Sequence, residues 1–303
     1  MSGPRAISRP RVGIAGIGLI GGSLALSLKA ADFASELIGW DADAAVSEGA
    51  IGRGIIDRSV SSFADLSACV DLLVLAVPTQ ACELLLEQVL AGDFSGVVTD
   101  VASVKGPLIA VADAASEACS DCYVPGHPIA GSERSGYLAA RRDLFDAHQV
   151  ILTPREHTNR DAIDLVAGAW KATGATLHLM TPQAHDAILA QTSHLPHVLA
   201  FALVDALASG ENNYDVFQHA AGGFRDFTRI ASSDPTMWRD ISLANRDALL
   251  VAMDVFDGHF QALRTSIENL DGERLQQVFS GAKRARDAFA KEFESRTARA
   301  ESG

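Results

Sequence analysis

Along the first 180 residues, short apolar runs rich in β-branched residues alternate with longer helix-compatible stretches. The runs are Val12 to Ala15, Leu37 to Trp40, Leu72 to Val77, Val97 to Thr99, Tyr123 to Val124, Val150 to Leu152 and Thr176 to Met180. They do not alternate apolar with polar, and Gly, Pro or Asp bounds them. Such runs suit strands buried on both faces, which a parallel sheet covered by helices provides. The pattern predicts an α/β fold whose N-terminal part is a doubly wound sheet.

After Thr181 and Pro182 the strand-like runs stop, and the chain reads as helices punctuated at Pro196, Gly210, Gly222-Gly223 and Pro235. Leu195, Val198, Leu199, Ala202, Leu203, Ala206 and Leu207 recur at helical spacing. They are too numerous for one exposed helix, so burial against another subunit is expected. Two domains follow, residues 1–180 as the sheet and residues 181–303 as an all-helical substrate and dimerisation domain. From Lys283 onward the charged, Ala-rich tail reads as an amphipathic helix that frays.

Composition narrows the partners. The 303 residues are 48% hydrophobic and 21% charged, as in ordinary soluble globular proteins, and they suffice for two cores. A formal net charge of -13 repels phosphate backbones and anionic lipids, so neither nucleic acid nor membrane is an expected partner. An anionic substrate would need a local basic cluster. Met1 to Arg11 is polar and basic, and no apolar run reaches roughly 18 residues, so a cytoplasmic location is expected. Cys69, Cys82, Cys119 and Cys122 are too few for a disulfide scaffold. Cys119-Ser-Asp-Cys122 has the spacing of a redox or metal pair, but no second pair exists and it does not open a helix after an early strand. It reads as ordinary thiols.

Gly16-Ile-Gly18-Leu19-Ile20-Gly21-Gly22-Ser23 follows the first apolar run and precedes a helix-forming one. In that context the motif is a dinucleotide fingerprint of the Rossmann type. Gly16 allows the turn, Gly18 the approach of a pyrophosphate, and Gly21 close packing of helix on strand, while Leu19 and Ile20 open the helix N-terminus toward the anion. Asp41 closes the second run, where a carboxylate can bond both ribose hydroxyls and repel a 2'-phosphate. Ala42 and Asp43 offer no compensating cation and Arg53 is the only one nearby, so NAD is expected over NADP. Val77 and Pro78 end the third run at the same edge and are candidates to wall the adenosine.

In open parallel sheets, ligands sit beyond the carboxyl ends of the strands. Two polar segments qualify: Asp100-Val-Ala-Ser103-Val-Lys105, and Pro125-Gly126-His127-Pro128-Ile-Ala-Gly131-Ser-Glu133-Arg-Ser-Gly136. With the glycine loop, these resemble the prephenate and arogenate dehydrogenase family. The resemblance continues through Ser193-His194-Leu-Pro-His197, and through Gly223-Phe-Arg225-Asp226-Phe-Thr228-Arg229 with Ser233-Asp234-Pro235 and Met237-Trp238. Five ordered motifs over both halves are more specific than a Rossmann fingerprint alone.

The resemblance implies oxidative decarboxylation of prephenate to 4-hydroxyphenylpyruvate, in tyrosine biosynthesis, with hydride transfer to NAD. The ring hydroxyl proton must reach a base, and imidazole titrates near working pH. The family's catalytic histidine falls on His127, and the serine that orients imidazole and hydroxyl, beside the cofactor, on Ser103; a helix cap is the structural alternative for Ser103. Arg229 falls on the residue gripping the ring carboxylate. Arg225 and Arg239 could equally serve surface ion pairs. His194 and His197 fall beside nicotinamide and substrate, and His197 favours prephenate over arogenate. A metal would want further ligands than this HxxH pair, and none is expected. Glu133, Asp226 and Trp238 match positions lining or gating the pocket, though each suits a buried ion pair or packed aromatic as well. Lys105 reads as support for a loop or cofactor.

The competing readings are an arogenate or dual-substrate cyclohexadienyl dehydrogenase, a β-hydroxyacid dehydrogenase of the 6-phosphogluconate kind, and a non-catalytic NAD sensor. The β-hydroxyacid group would lack the GHPxxGxExSG and HLPH segments. A homodimer through the helical half is the expected assembly. No segment beyond residue 300 is expected to hold a regulatory domain, so any feedback by tyrosine would use the active site.

Overall fold

The computed structural model describes residues 9–116, 120–131, 134–209 and 217–301. By internal contacts the chain divides into two compact units, Met1–Asn245 and Arg246–Gly303.

The first unit is built on a six-stranded parallel sheet. Its strands are β1 (Arg11–Ala15), β2 (Glu36–Trp40), β3 (Arg58–Ser59), β4 (Leu72–Leu75), β5 (Val97–Asp100) and β6 (Tyr123–Val124), in the order β3-β2-β1-β4-β5-β6. Helices α1 (Leu19–Ala30), α2 (Ala44–Gly52), α3 (Phe63–Ser67), α4 (Thr79–Ala91) and α5 (Gly106–Ala114) make the connections. Two apolar clusters pack against the sheet: Val12, Ile14, Leu24 and Leu28 belong to one, and Leu73, Leu75, Leu86 and Val89 to the other. This burial of both faces is why the strands lack alternation. The order reverses between β1 and β4, the switch point at which such sheets bind ligands.

The last two expected strands form but do not extend this sheet. β8 (Gln149–Leu152) and β9 (Thr176–Leu179) pair in parallel across helix α6 (Arg160–Ala172), and β7 (Gly126–Pro128) joins β8 antiparallel, giving a separate sheet of order β7-β8-β9. Pro125, which carries no amide hydrogen, sits between β6 and β7 where the chain leaves one sheet for the other. Pro128 is tolerated because β7 is an edge strand.

Helix α7 (Pro182–Leu189) begins at a Thr181 cap and runs through a π-helical turn, Ala190–His194, into α8 (Leu195–Ala208). The break expected at Pro196 does not occur. A proline in a helix lacks the i→i−4 donor and crowds that carbonyl, and the wider turn just before Pro196 accommodates both. The segment Pro182–Ala208 is long and apolar enough to cross a membrane by length and composition, which the run-length criterion does not detect. Beyond it lie α9 (Gly222–Thr228), a 3-10 turn from Arg229 to Ser232, and α10 (Pro235–Ala244), capped by Asp234. The second unit comprises α11 (Arg246–Glu268) and α12 (Gly272–Glu301), and leaves Val251, Val255, Phe256, Phe260 and Phe279 exposed.

Candidate active site

The glycine loop has the geometry its spacing predicts. Gly16 lies at φ +91, and a Cβ there would stand 2.4 Å from the Ala76 carbonyl oxygen and 2.8 Å from Val77 Cγ1. At Gly21 a Cβ would stand 2.1 Å from the Gly16 oxygen. Both positions therefore require glycine. Nothing lies within 4 Å of a Cβ built on Gly18, and α1 starts there without a side-chain cap, so its first amides, at Leu19 and Ile20, keep their donors.

The Asp41 carboxylate accepts from the Ile17 amide at 2.8 Å and the Asp43 amide at 3.1 Å. Each oxygen accepts more than one hydrogen bond, so the group keeps capacity for ribose hydroxyls. Arg53 closes α2 at the end remote from Asp43, which caps its start; nine helical residues span about 13 Å. This open, uncapped cradle with a carboxylate beside it fits a dinucleotide lacking a 2'-phosphate. Val77 and Pro78 lie between the end of β4 and the start of α4.

His127 sits in the middle of β7, paired with Ile151. Its Nδ1 lies 2.9 Å from Nε2 of His185, and Nδ1 of His185 lies 2.7 Å from Oδ1 of Asp186. Asp186 also accepts from the Lys105 amide at 2.9 Å and the Gly106 amide at 2.8 Å, capping α5 from α7. Burial alone would raise the Asp186 pKa, but hydrogen bonds from His185 and these amides outweigh it and hold the carboxyl below its usual value. His127 is pushed well below the ordinary histidine value, chiefly by burial and then by neighbouring His185, Lys105 and His194. It is neutral near pH 7, the state a proton acceptor needs.

Beneath this histidine lies a buried ionic knot. Lys105 and Asp100 are fully buried and paired; the Lys105 ammonium also donates to the Gly126 carbonyl at 2.6 Å, and the Tyr123 hydroxyl donates to Asp100 at 2.6 Å. Burial raises the Tyr123 pKa well above its usual value, so the phenol remains a donor. Lys105 thus ties the loop after β5 to the residue preceding His127, giving its support of a loop a specific form. Ser103, in that loop, is partly exposed and makes no hydrogen bond among the described residues. It neither caps α5 nor touches His127 through a hydrogen bond, and the imidazole is held by His185 instead.

His194 and His197 flank the start of α8. The Asn245 amide donates to the Asp186 carbonyl at 2.9 Å and to Nδ1 of His194 at 3.0 Å. An accepting Nδ1 leaves the His194 hydrogen on Nε2. Burial, reinforced by His185 and His197 against Asp186, pushes His194 down to about 4. His197 donates from Nδ1 to the Ser193 carbonyl at 2.9 Å and stacks on Trp238, ring centroids 3.5 Å apart. Burial lowers its pKa too, and the nearby Arg229 charge adds to that, against the Ser193 hydrogen bond. Trp238 is buried with Ile241 and with Val104, the neighbour of Ser103.

Arg229 is exposed and pairs with no carboxylate among the described residues. By contrast, Arg225 is paired with Asp226 at 3.0 Å, both exposed, and exposed Arg239 with the largely buried Asp240 at 2.7 Å. Asp226 therefore forms a surface pair. Glu133 and Cys119 lie outside the described residues, and among the described residues no cluster of three metal-ligating side chains occurs. His185, Asp186 and Asn245 carry no local motif; only an adjacent His-Asp pair just inside a capped helix start hints at them.

A parallel nucleotide-binding sheet, an open glycine cradle with its acidic partner, and a neutral imidazole on β7, just past the end of β6, define a nucleotide-dependent dehydrogenase. Residues 24–179 match the family model for the prephenate dehydrogenase nucleotide-binding domain, and residues 181–281 match the prephenate dehydrogenase dimerization domain. The chain belongs to the prephenate dehydrogenase family. It is 37% identical over 279 residues to the prephenate dehydrogenase of Bacillus subtilis, covering 91% of this chain and 75% of that protein. It is 35% identical over 292 residues to the cyclohexadienyl dehydrogenase of Zymomonas mobilis, covering 94% and 98%. The crystal structure of prephenate dehydrogenase from A. aeolicus in complex with hydroxyphenyl propionate and NAD+ is 34% identical, with TM-score 0.85 over 93% of this chain and 99% of that one.

Proposed function

We propose that the protein oxidatively decarboxylates prephenate to 4-hydroxyphenylpyruvate with NAD, and that His127 is the base. The observation that carries this reading is the His127 ring itself: neutral by burial, held at Nδ1 by His185, and standing on a strand tied through Lys105 to the loop after β5. Bound NAD supplies the acceptor for the hydride that leaves C4 of the ring. His127 takes the proton of the C4 hydroxyl, the electron pair of the bond to the ring carboxylate passes into the ring as carbon dioxide leaves, and the phenolate oxygen of the aromatic product recovers the proton from His127. Arg229, beside His197 and without a carboxylate partner among the described residues, is the group for the ring carboxylate, because its guanidinium presents a planar fork. His194, with Nε2–H as donor, and His197 on Trp238 line the same side. Ser103 contributes a hydroxyl close to the cofactor.

Gly16, Gly18, Leu19, Ile20 and Gly21 would hold the pyrophosphate, Asp41 the ribose, and Val77 and Pro78 the adenosine side. Asp41, with Arg53 remote from it, supports NAD over NADP. We place the functional boundary near residue 180, with cofactor chemistry before it and substrate binding and homodimer formation after it. The apolar segment Pro182–Ala208 carries His185, Asp186 and His194, which a lipid-crossing helix would carry only at high cost. We therefore read a second copy as its cover, in a soluble cytoplasmic enzyme. NADH formation measured separately with prephenate and arogenate tests the proposal. Turnover with prephenate supports it, turnover with arogenate alone would reassign the substrate, and turnover with neither would refute it.

A further inference from the structure

We propose that Asp186 and His185 are positioning residues that fix the tautomer of His127, keeping the hydrogen on Nδ1 and leaving Nε2 bare as the proton-accepting atom. The inference rests on His127 being the base. Three hydrogen bonds converge on the Asp186 carboxylate, from the Lys105 amide, the Gly106 amide and Nδ1 of His185. An ionised carboxylate only accepts, so the His185 nitrogen 2.7 Å away carries hydrogen. With its one hydrogen on Nδ1, His185 presents a bare Nε2, and this atom is 2.9 Å from Nδ1 of His127. Two bare nitrogens at that distance would repel, so Nδ1 of His127 is the donor. The second nitrogen of His127 is left with its lone pair.

At the far end the two α5 amides have no alternative but to donate, which keeps the Asp186 carboxylate an acceptor toward His185. Gly106 permits this approach, since a Cβ there would stand 3.2 Å from Asp186 Oδ2. When His127 takes up a proton, the same chain stabilises the imidazolium, its Nδ1–H donating to His185 and His185 donating to a fixed anion. Orienting groups of this kind act through tautomer and charge while remaining outside the reacting atoms. His185 and Asp186 sit on α7, whereas His127 sits on β7, so the helical segment supplies the polarity of a base on the sheet. The charged and titratable groups facing this chain are Lys105, His194 and Asp100.

The direct test is histidine-selective 15N NMR of the intact protein near neutral pH, with His127 assigned by the His127→Asn variant. The expected spectrum shows His127 protonated at Nδ1 and bare at Nε2; protonation at Nε2 would overturn the inference without any variant of the chain itself. Kinetically, His185→Leu, which cannot accept from Nδ1, should lower kcat about a hundredfold with NAD affinity unchanged. His185→Gln, whose Oε1 can accept that hydrogen, should restore most of the rate. Equal losses in the two variants, or none in the leucine variant, would contradict a tautomer role. If His127→Asn is itself fully active, the functional reading fails; if it is inactive while His185→Leu is normal, only the tautomer inference fails.

Discussion

His194 gives the protein an acid sensitivity whose size follows from its burial. Its folded pKa is lowered to about 4 from 6.5. Between these values the unfolded chain binds a proton that the folded chain does not, so stability rises with pH across this window and is lost as pH falls through it. The distance between the two values caps the effect at about 3 kcal/mol, and about 2 kcal/mol of it falls between pH 7 and pH 5. The carboxyls held low, Asp57, Asp65, Asp71 and Asp186, act in a different range: their contributions are present above the unfolded value of 3.8 and vanish only below it. His127 and His197 are lowered too and add to the same acid loss. The His194 share is isolated by His194→Gln, which keeps an oxygen for the Asn245 amide. Urea unfolding at fixed protein concentration, repeated from pH 7 to pH 5, should give a shallower pH dependence for the variant by about 2 kcal/mol. Parallel pH dependences would refute the argument.

Two further perturbations probe the framework and the substrate grip. Lys105→Met leaves the Asp100 carboxylate buried with its cation removed and should cost about 3–5 kcal/mol in urea unfolding; pairing it with Asp100→Asn should recover much of the loss, and a single-variant cost below about 1 kcal/mol would mean the knot is not charged. Arg229→Ala removes a guanidinium worth about 1.5–3 kcal/mol to a bound carboxylate, so KM for prephenate should rise roughly ten- to a hundredfold with a smaller change in kcat. An unchanged KM would place the ring carboxylate elsewhere.

What could be read from the chain was whatever is encoded locally. The glycine loop, the first strand and Asp41 lie within 30 residues, and each glycine answers a contact at its own Cα, as the Gly16 and Gly21 clashes show. His127 stood out because a histidine follows a strand between Gly126 and Pro128. Those same two residues disguised β7 as a loop, since its strand character comes from pairing with β8, about two dozen residues further on. The second sheet was hidden for the same reason: Val150 to Leu152 looks alike whether it extends one sheet or founds another.

The polar chain behind His127 was illegible for a different reason. His185 is 58 residues from His127, and Asn245 is 51 from His194. No periodicity links them, and only the packing of α7 against α5 and β7 brings them together. Lys105 shows the intermediate case. Its position in the segment was recognisable, but its role as a buried counter-ion depends on Asp100, Tyr123 and Gly126 converging in space.

The proposed role of the imidazole at position 127 is to remove the proton that hydride departure makes acidic. It is tested most directly by prephenate-dependent NADH formation in His127→Asn, with NAD affinity measured on the same sample. A fall in kcat of about a hundredfold or more with NAD binding nearly unchanged is expected; turnover near that of the unaltered protein would exclude His127 as the base.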